Sequence, residues 1–285
     1  MDERQPRRDR RGARRVSAPG EVVLSLADAG LRFGQRTLWD HLDLDVRAGE
    51  VVAVLGGNGT GKSSLLKVIL GQVRLTSGSV RVLGRPVDGG SRRVGYVPQQ
   101  TLATDALPLR GRDLVGLGLD GDRWGIGLPS RRRRRVVDDL LASVHAGGEA
   151  DRRLGLLSGG EQQRMRMAQA LAGDPRLLLC DEPLLSLDLA HQRVVCELVD
   201  ESRRARDLAV LFVTHDVNPL LGIVDRVLYL AGGRFRVGTP DEVLRSDVLT
   251  DLYGSPVEVV RAQGRLVVVG GGDAAGHDHG DEGRP

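Results

Sequence analysis

The 285-residue sequence lacks long apolar runs. Its longest uninterrupted apolar stretches, such as LAVLFV at residues 208–213, fall far short of the roughly 20 residues that cross a bilayer. The charged first 20 residues are followed by no apolar run, so no secretory signal is predicted. From these two absences we expect a chain that does not itself cross a membrane and that resides in the cytoplasm.

Cysteine is also scarce, with Cys180 and Cys196 the only two. They lie far apart and form no CxxC pair, which excludes a disulfide framework and a zinc knuckle. We expect both to be small hydrophobic residues of the core.

Basic charge is concentrated in the first 20 residues, where seven arginines stand against three acidic residues. Because the whole chain carries a formal net charge of +3, the remainder is close to neutral. Nucleic-acid binding needs a concentrated basic face on the folded surface, so no nucleic-acid partner is predicted. Residues 1–20 are interpreted as a disordered basic arm, and the glycine-rich residues 271–285 as a disordered tail.

The hydropathy pattern between these ends predicts an α/β domain over residues 21–245. Alternating segments near residues 21–50 indicate an antiparallel β portion, and RLLLCD and LAVLFVTHD flank an amphipathic helix in a parallel βαβ unit. Leucine and arginine at helical spacing predict a helical subdomain at about 101–156. Residues 246–270 form a C-terminal extension with a predicted hairpin.

The stretch GGNGTGKSS at residues 56–64 follows an apolar strand and precedes an apolar helix. Its glycines Gly56 and Gly61, with Lys62 and Ser63, match GxxxxGK[ST], in which backbone N–H groups and a lysine hold phosphates and a hydroxyl holds Mg²⁺. The alternative is a glycine-rich turn with a solvated lysine. Lys62 and Lys67 are the only lysines of an arginine-rich chain, which favours a specific role for a lysine.

Two acidic residues stand at the end of the apolar strand in LLLCDEP: Asp181 is its last residue and Glu182 follows. Asp181 is predicted to hold Mg²⁺, and Glu182 to act as general base on an attacking water. The alternative is a pair of helix-capping acids.

LSGGEQQR at residues 157–164 stands just before this strand. Here the sequence resembles the ATP-binding subunits of ABC transporters, since this is their signature sequence. Phe33 matches the aromatic residue that stacks on adenine, and Gln99 in YVPQ matches the Q-loop glutamine. The sequence SLD at 186–188 matches the D-loop, and His215 in VTHD matches the switch histidine. The resemblance covers about residues 20–245.

The resemblance implies a P-loop NTPase fold of the ABC type, with an antiparallel β portion, a parallel-sheet core and a helical subdomain. It implies ATP and Mg²⁺ as cofactors, with catalysis by Glu182, His215 and Gln99 and metal binding by Ser63, Gln99 and Asp181. The implied nucleotide-binding residues are Phe33, Gly56, Asn58, Gly59, Gly61, Lys62, Ser63, Ser64, Ser158, Gly159, Gly160 and Asp188. Two chains, as a homodimer, would sandwich ATP between the P-loop of one and the signature of the other.

Three of these positions have alternatives. Phe33 could be a core residue, Gln100 competes with Gln99, and His215 could be a satisfied histidine at a strand end. Gly57, Ser64 and Leu187 depart from the residues usual in the family, which are proline, threonine and alanine. None of the departures removes a catalytic group, so an active ATPase is expected.

The segment HDVNP and the late LYG resemble the zinc- and manganese-type branch of the family. The resemblance implies metal-ion import through a separate membrane permease, with an extracellular solute-binding protein, from the cytoplasmic face of the cell membrane. His277, Asp278, His279, Asp281 and Glu282 of the tail are possible metal ligands or simply a polar tail. The run RRRRR at 131–135 has two interpretations. It is either the solvated start of a helix or a surface that contacts the permease or lipid.

A different class of function is a soluble, non-transport ABC ATPase, such as an iron-sulfur assembly ATPase. A translation factor would carry two cassettes and a repair ATPase a long insertion, and the sequence has neither. A bare P-loop kinase would leave LSGGEQQR unexplained.

Overall fold

The computed structural model of the chain describes residues 20–99, 108–120 and 130–270. The predicted basic arm, except Gly20, and the predicted tail lie outside the described residues. So do residue 100 and residues 101–107 and 121–129 of the region predicted to be helical.

An antiparallel sheet opens the domain. It comprises β1 (Val22–Phe33), β2 (Arg36–Arg47), β4 (Ser77–Val82) and β5 (Arg85–Pro86), in the order β2-β1-β4-β5. Alternating buried and exposed residues in β2 are typical of a strand with one face on the core. The predicted antiparallel portion is confirmed.

A six-stranded sheet forms the centre, in the order β10-β9-β3-β8-β7-β6. Its strands are β3 (Val51–Gly56), β6 (Val94–Val97), β7 (Leu177–Asp181), β8 (Ala209–Val213), β9 (Arg226–Ala231) and β10 (Arg234–Gly238). All neighbours are parallel except the β9–β10 hairpin. Every residue of β7 and β8 is buried, because helices or the other sheet cover both faces. The predicted parallel core is confirmed.

The longer helices are α1 (Lys62–Ile69), α2 (Gly111–Asp120), α3 (Arg131–Ser143), α4 (Gly159–Leu171), α5 (Leu189–Arg206) and α7 (Ser246–Tyr253). The short helix α6 spans Pro240–Val243, and 3-10 turns span Leu154–Leu156 and Asn218–Leu220. In α5 the residues Val195, Leu198 and Val199 are buried, as the helical pattern predicts.

The arginine run begins α3. Ser130 caps this helix by accepting the Arg133 N–H at 3.0 Å, and the Arg133 side chain pairs with Asp120 at 2.5 Å. The interpretation as the start of a helix is confirmed, whereas a permease or lipid contact stays a prediction.

The central sheet has a separate core on each face. Val52 and Val54 of β3 pack with α1 and the antiparallel sheet, whereas Val51, Ala53 and Leu55 pack with helices α2 to α5 and α7. Cys180 and Cys196 lie in the helical core as buried free thiols, and burial raises the pKa of Cys196 to about 12. Packing on both faces therefore holds the central strands in place, including the ends of β3 at Gly56 and of β7 at Asp181.

The C-terminal residues add α7 and a hairpin of β11 (Val257–Ala262) and β12 (Arg265–Gly270). Leu249, Leu252, Val257 and Leu266 are buried in the same core as the helices. The domain boundaries at 245 and 270 stay a prediction.

Candidate functional site

The glycine loop connects the end of β3 at Gly56 with the start of α1 at Lys62. Gly56, Gly59 and Gly61 have φ angles of 141°, 73° and 102°, in the region that glycine adopts without strain. A Cβ atom at Gly56 would lie 2.2 Å from the Leu230 carbonyl oxygen, so a larger residue would displace β9. The loop therefore requires glycine where the P-loop pattern has it.

The side chain of Lys62 curls back over this loop. Its Nζ donates to the carbonyl oxygens of Gly56 at 2.7 Å and Gly57 at 2.8 Å. Burial lowers the pKa of Lys62, while the negative charges of Glu182 and Asp181 oppose that shift. Lys62 is 6% exposed, so the solvated-lysine alternative is wrong.

Ser63 meets the carboxyl end of β7. Its Oγ donates to Asp181 Oδ1 at 3.2 Å, and Tyr96 Oη donates to Asp181 Oδ2 at 3.4 Å. Burial raises the pKa of Asp181, and the hydrogen bonds from Ser63 and Tyr96 oppose that shift. A hydroxyl and a carboxylate side by side are hard oxygen ligands of the kind Mg²⁺ prefers. The donor set therefore fits Mg²⁺, and Asp181 is not a helix cap.

Glu182 follows in a strained backbone conformation, with a φ angle of 46°. Its N–H donates to the Val213 carbonyl of β8 at 3.0 Å, which holds the residue beyond the strand end. Gln99 Nε2 donates to Glu182 Oε2 at 3.5 Å, a long hydrogen bond. The two residues thus meet, although they are 83 positions apart. Gln100, the alternative to Gln99, lies outside the described residues.

His215 is exposed just beyond β8. The loop around it is fixed by its neighbours: Thr214 N donates to the Val54 carbonyl at 3.1 Å, and Thr214 Oγ1 donates to the Asp216 carbonyl at 2.9 Å. Asn218 continues this network. Its Nδ2 donates to the Leu266 carbonyl at 2.8 Å, and its Oδ1 accepts the Leu266 N–H at 2.7 Å.

The signature residues begin α4. Ser158 Oγ accepts the Glu161 N–H at 3.3 Å, and Glu161 Oε2 accepts the Ser158 N–H at 2.7 Å, a capping box. The Ser158 backbone hydrogen bond lowers the pKa of Glu161, and the charge of Arg152 adds to this shift. The start of α4 also carries the positive end of the helix dipole, which favours a nearby anion.

Asp188 caps α5 in a similar way. Its carboxylate accepts the His191 N–H at 2.8 Å and contacts His191 Nδ1 at 2.8 Å. A Cβ atom at Gly160 would lie 2.2 Å from His191 Cδ2, so the signature and the D-loop helix pack closely. Glycine at position 160 is required for this approach.

The remaining predicted residues lie around the glycine loop. Phe33 is 52% exposed at the end of β1, so its alternative as a core residue is wrong. Asn58 is exposed in the loop, Ser64 is half-buried in the first turn of α1, and Gly159 is the first residue of α4.

Several contributing residues were missed from the sequence. Tyr96 contacts Asp181, Asn218 anchors the histidine loop, and His191 packs on Gly160. Trp39 is fully buried, and its Nε1 would lie 2.9 Å from a Cβ atom at Gly61. Tyr96 stands three residues before Gln99 in YVPQ, which was the one available signal; the other contacts join distant segments.

A strand, glycine loop and helix with a buried lysine, beside a strand-end carboxylate, define a P-loop nucleotide-binding domain. The ABC transporter family model matches residues 39–185. The chain is 38% identical over 249 residues to the hemin import ATP-binding protein HmuV of Streptomyces coelicolor, covering 85% of this chain and 87% of the relative. It is 37% identical over 216 residues to the zinc transport system ATP-binding protein TroB of Treponema pallidum, covering 75% and 80%.

Solved structures agree. A metal-chelate type ABC transporter in an inward-facing conformation matches with a TM-score of 0.74 and 28% identity, covering 87% of this chain and 96% of that one. The chain therefore belongs to the ABC transporter ATP-binding family and is a transport-coupled ATPase. No helix among residues 20–99, 108–120 and 130–270 is long and apolar enough to cross a membrane.

Within the same described ranges, no group of three or more His, Cys, Asp or Glu side chains is arranged to hold a metal ion. The tail residues proposed as metal ligands lie outside the described residues.

Proposed function

We propose that this chain is the ATP-binding and ATP-hydrolysing subunit of an importer for a metal-containing solute. The observation that carries the ATPase assignment is the 3.2 Å hydrogen bond between Ser63 and Asp181, with Glu182 next in sequence. It brings the hydroxyl of the glycine loop and the strand-end carboxylates to one place.

The glycine loop and Lys62 would hold the β- and γ-phosphates of ATP. For this the Lys62 ammonium exchanges its two carbonyl acceptors, Gly56 and Gly57, for phosphate oxygens. Ser63, Asp181 and Gln99 would hold Mg²⁺, which when bound neutralises phosphate charge. Phe33 offers an exposed ring for the adenine face.

Glu182 would accept a proton from the water whose oxygen bonds to the γ-phosphorus, as the bond from that phosphorus to the bridging oxygen of ADP breaks. The Gln99 amide donates to Glu182 and so orients its carboxylate. His215, exposed beyond β8, would contact the γ-phosphate.

Signature residues Ser158, Gly159 and Gly160 and Asp188 would act on the nucleotide of a second copy, forming the head-to-tail sandwich. Exposed Leu156 and Leu189, at 67% and 56%, flank the signature and the D-loop and support a contact face there. In the complete system the subunit would lie on the cytoplasmic face of the membrane, bound to a permease that an extracellular solute-binding protein supplies.

The solute is proposed from the relatives. Hemin and zinc appear in the names of two of them, and the matched solved transporter is of the metal-chelate type. A metal-containing solute is consistent with all three names. Hemin is favoured because the alignment with HmuV covers more of both chains than the alignment with TroB. Import of zinc or manganese ions, as first predicted, is the second candidate, supported by the TroB match.

Glu182→Gln tests the catalytic assignment. We expect Mg-ATP binding to be retained and hydrolysis to fall about 100- to 10,000-fold, because the amide cannot accept the proton. Glu197→Gln, on the exposed face of α5, is the matched control and should hydrolyse normally. Wild-type turnover by Glu182→Gln would show that another group is the base.

Affinity purification from detergent-solubilised native membranes tests the transport assignment. A polytopic permease should co-purify, and reconstitution with a solute-binding protein should give ATPase activity stimulated by hemin rather than by zinc or manganese. Stimulation only by zinc or manganese would select the metal-ion importer. A soluble scaffold in place of the permease would move the chain to the iron-sulfur assembly type of ATPase.

A further inference from the structure

The C-terminal hairpin has one face partly on the core, where Val257 and Leu266 are buried but Val268 is 41% exposed, and one face exposed. In the β11–β12 pairing, Glu258 lies opposite Val269, Val260 opposite Val267, and Ala262 opposite Arg265. Because side chains alternate along a strand, these six residues share one face. The opposite face carries Val257 and Leu266, which are 5% and 8% exposed in the helical core.

The outer face is apolar although it is exposed. Val260, Val267 and Val269 are 39%, 48% and 52% exposed and lie side by side. We name these three, with Ala262, Glu258 and Arg265, the outer valine face. Strands with one face on the core normally carry polar residues on the other, so a valine cluster in this position indicates a surface that contacts something.

Residues 271–285 are a poor cover for this face. Residues 271–285 begin directly after β12, but their sequence, GGDAAGHDHGDEGRP, offers only Ala274 and Ala275 as aliphatic side chains. Acidic residues, histidine and glycine bury little apolar surface. Residues 271–285 are therefore not the proposed occupant.

The charges of the outer valine face identify one. The valines lie between an acidic end, at Glu258 beside Val269, and a basic end, at Arg265 beside Ala262. If a second copy packs face to face about a two-fold axis that runs across the strands, each Glu258 lies beside Arg265 of the partner subunit. Val260 then lies on Val260 of the partner subunit, and Val267 lies on Val267 of the partner subunit. The surface is thus complementary to itself, as a two-fold interface requires.

We propose that the outer valine face binds the same face of a second copy of this chain. This contact is separate from the nucleotide sandwich and does not involve the P-loop or the signature. Three valines bury far less than the roughly 800 Å² per partner of a standard interface, so the contact supplements a larger interface or forms transiently on its own.

Hydrogen bonds attach the hairpin to the rest of the domain. Leu266, on its inner face, pairs with the Asn218 amide through hydrogen bonds of 2.7 and 2.8 Å, and Val259 N–H donates to Ser246 Oγ at 2.9 Å. The first of these links ties the hairpin to the loop that carries His215. A second copy bound here would therefore contact a segment connected to the ATP site.

Thiol cross-linking without nucleotide tests the contact. Val267→Cys in the full-length chain should cross-link to itself with a short bismaleimide several-fold faster than Val268→Cys. Val268 is the matched control because it is 41% exposed on the same strand but on the opposite face. The native cysteines are buried and should remain unreacted. Equal rates for the two variants would overturn the proposal.

The same comparison in the Lys62→Ala background separates this contact from the proposed function. The several-fold difference should persist there, because two copies that both fail to hold ATP form no sandwich. If it disappears, the cross-link reports the sandwich and the proposed separate contact is wrong, whereas a failure of ATP hydrolysis alone leaves it standing.

Charge exchange tests the pairing within the face. In the Val267→Cys chain, Glu258→Arg or Arg265→Glu alone should reduce cross-linking several-fold, since each places like charges together. The double exchange should restore it. No restoration, or cross-linking of Val267→Cys in native membranes to a different protein and not to itself, would overturn the second copy as the occupant.

Discussion

The hydrogen bonds that join the acidic residues of the P-loop side to their partners differ in range from those that cap the helices of the signature side. Ser63 and Tyr96 reach Asp181 across 118 and 85 positions, and Gln99 reaches Glu182 across 83. On the signature side, Ser158 pairs with Glu161 and Asp188 with His191, each across three positions.

This difference in range indicates that the two sides of the site have different functions. The P-loop side brings a lysine, a hydroxyl and two carboxylates together in one chain, so the groups proposed to bind phosphate and metal are already close together without a ligand. The signature side is a pair of capped helix starts with exposed leucines beside them, which suits a surface that acts on another molecule. We expect substitutions on the first side to abolish binding and those on the second to affect cooperation between copies.

Lys62→Ala has the largest expected effect. Removal of the one ammonium held against the glycine loop should lower kcat/KM for ATP at least about 100-fold, with loss of nucleotide binding measured by calorimetry. Lys67→Ala is the matched control, because Lys67 is exposed in the last turn of the same helix, and it should retain activity. Equal loss in both variants would indicate damage to α1 rather than to phosphate binding.

Ser158→Arg should separate the two sides. It places a bulky cation at the signature, so hydrolysis should be lost while ATP binding to the chain's own P-loop remains. An equal mixture with Lys62→Ala should recover about a quarter of the wild-type rate, since half of the dimers are mixed and each has one complete site. Ser158→Ala controls for loss of the cap, and no recovery in the mixture would contradict action on a second copy.

Asn218→Ala tests a long-range contact that lies away from the proposed phosphate-binding residues, the pair of hydrogen bonds between Asn218 and Leu266. It removes both hydrogen bonds to Leu266, so the free energy of unfolding should fall by about 1–2 kcal/mol and Tm by about 2–6 °C. Limited proteolysis should cut first at the β11–β12 hairpin. Asn218→Asp keeps the acceptor for Leu266 N–H but places a carboxylate oxygen against the Leu266 carbonyl and Asp216 Oδ1, so it should lose at least as much. An unchanged Tm for Asn218→Ala would show that the hairpin is held by its buried apolar residues alone.

Glu161→Ala tests the local side and has the smallest expected effect, about 1 kcal/mol, from loss of the capping box. The folded protein lowers the pKa of Glu161, so its ionised form stabilises the fold. That contribution is complete above the unfolded pKa of about 4.3 and is lost as pH falls through the lower folded value.

The Tm difference between wild type and Glu161→Ala, followed from pH 7 to pH 3, should therefore shrink in acid. Glu161→Gln keeps an acceptor for the Ser158 N–H without the charge, so its Tm at neutral pH should lie between the two. A constant difference across this range would show that the carboxylate charge contributes nothing.

Most elements of the fold were predictable because their patterns are local. The strands and α5 follow from hydropathy, and the hairpin of the C-terminal extension follows from its glycine-containing turn. The roles proposed for Lys62, Asp181 and Glu182 came from motif spacing, and the structure places these residues together, but their catalytic roles stay predictions. Tyr96, Trp39, His191 and Asn218 were not predictable, because each acts through a residue from a distant segment.

The sequence by itself determined the capped starts of α4 and α5 and the alternation of the β-strands, because these depend on neighbours within a few residues. The tertiary structure alone decided which strand end faces the glycine loop, that Phe33 is exposed, and that Asn218 reaches Leu266. It also decided that three valines of the C-terminal hairpin face outward. Those outcomes depend on how separate segments pack, and a linear pattern contains no information on which of two hydrophobic faces the core will cover.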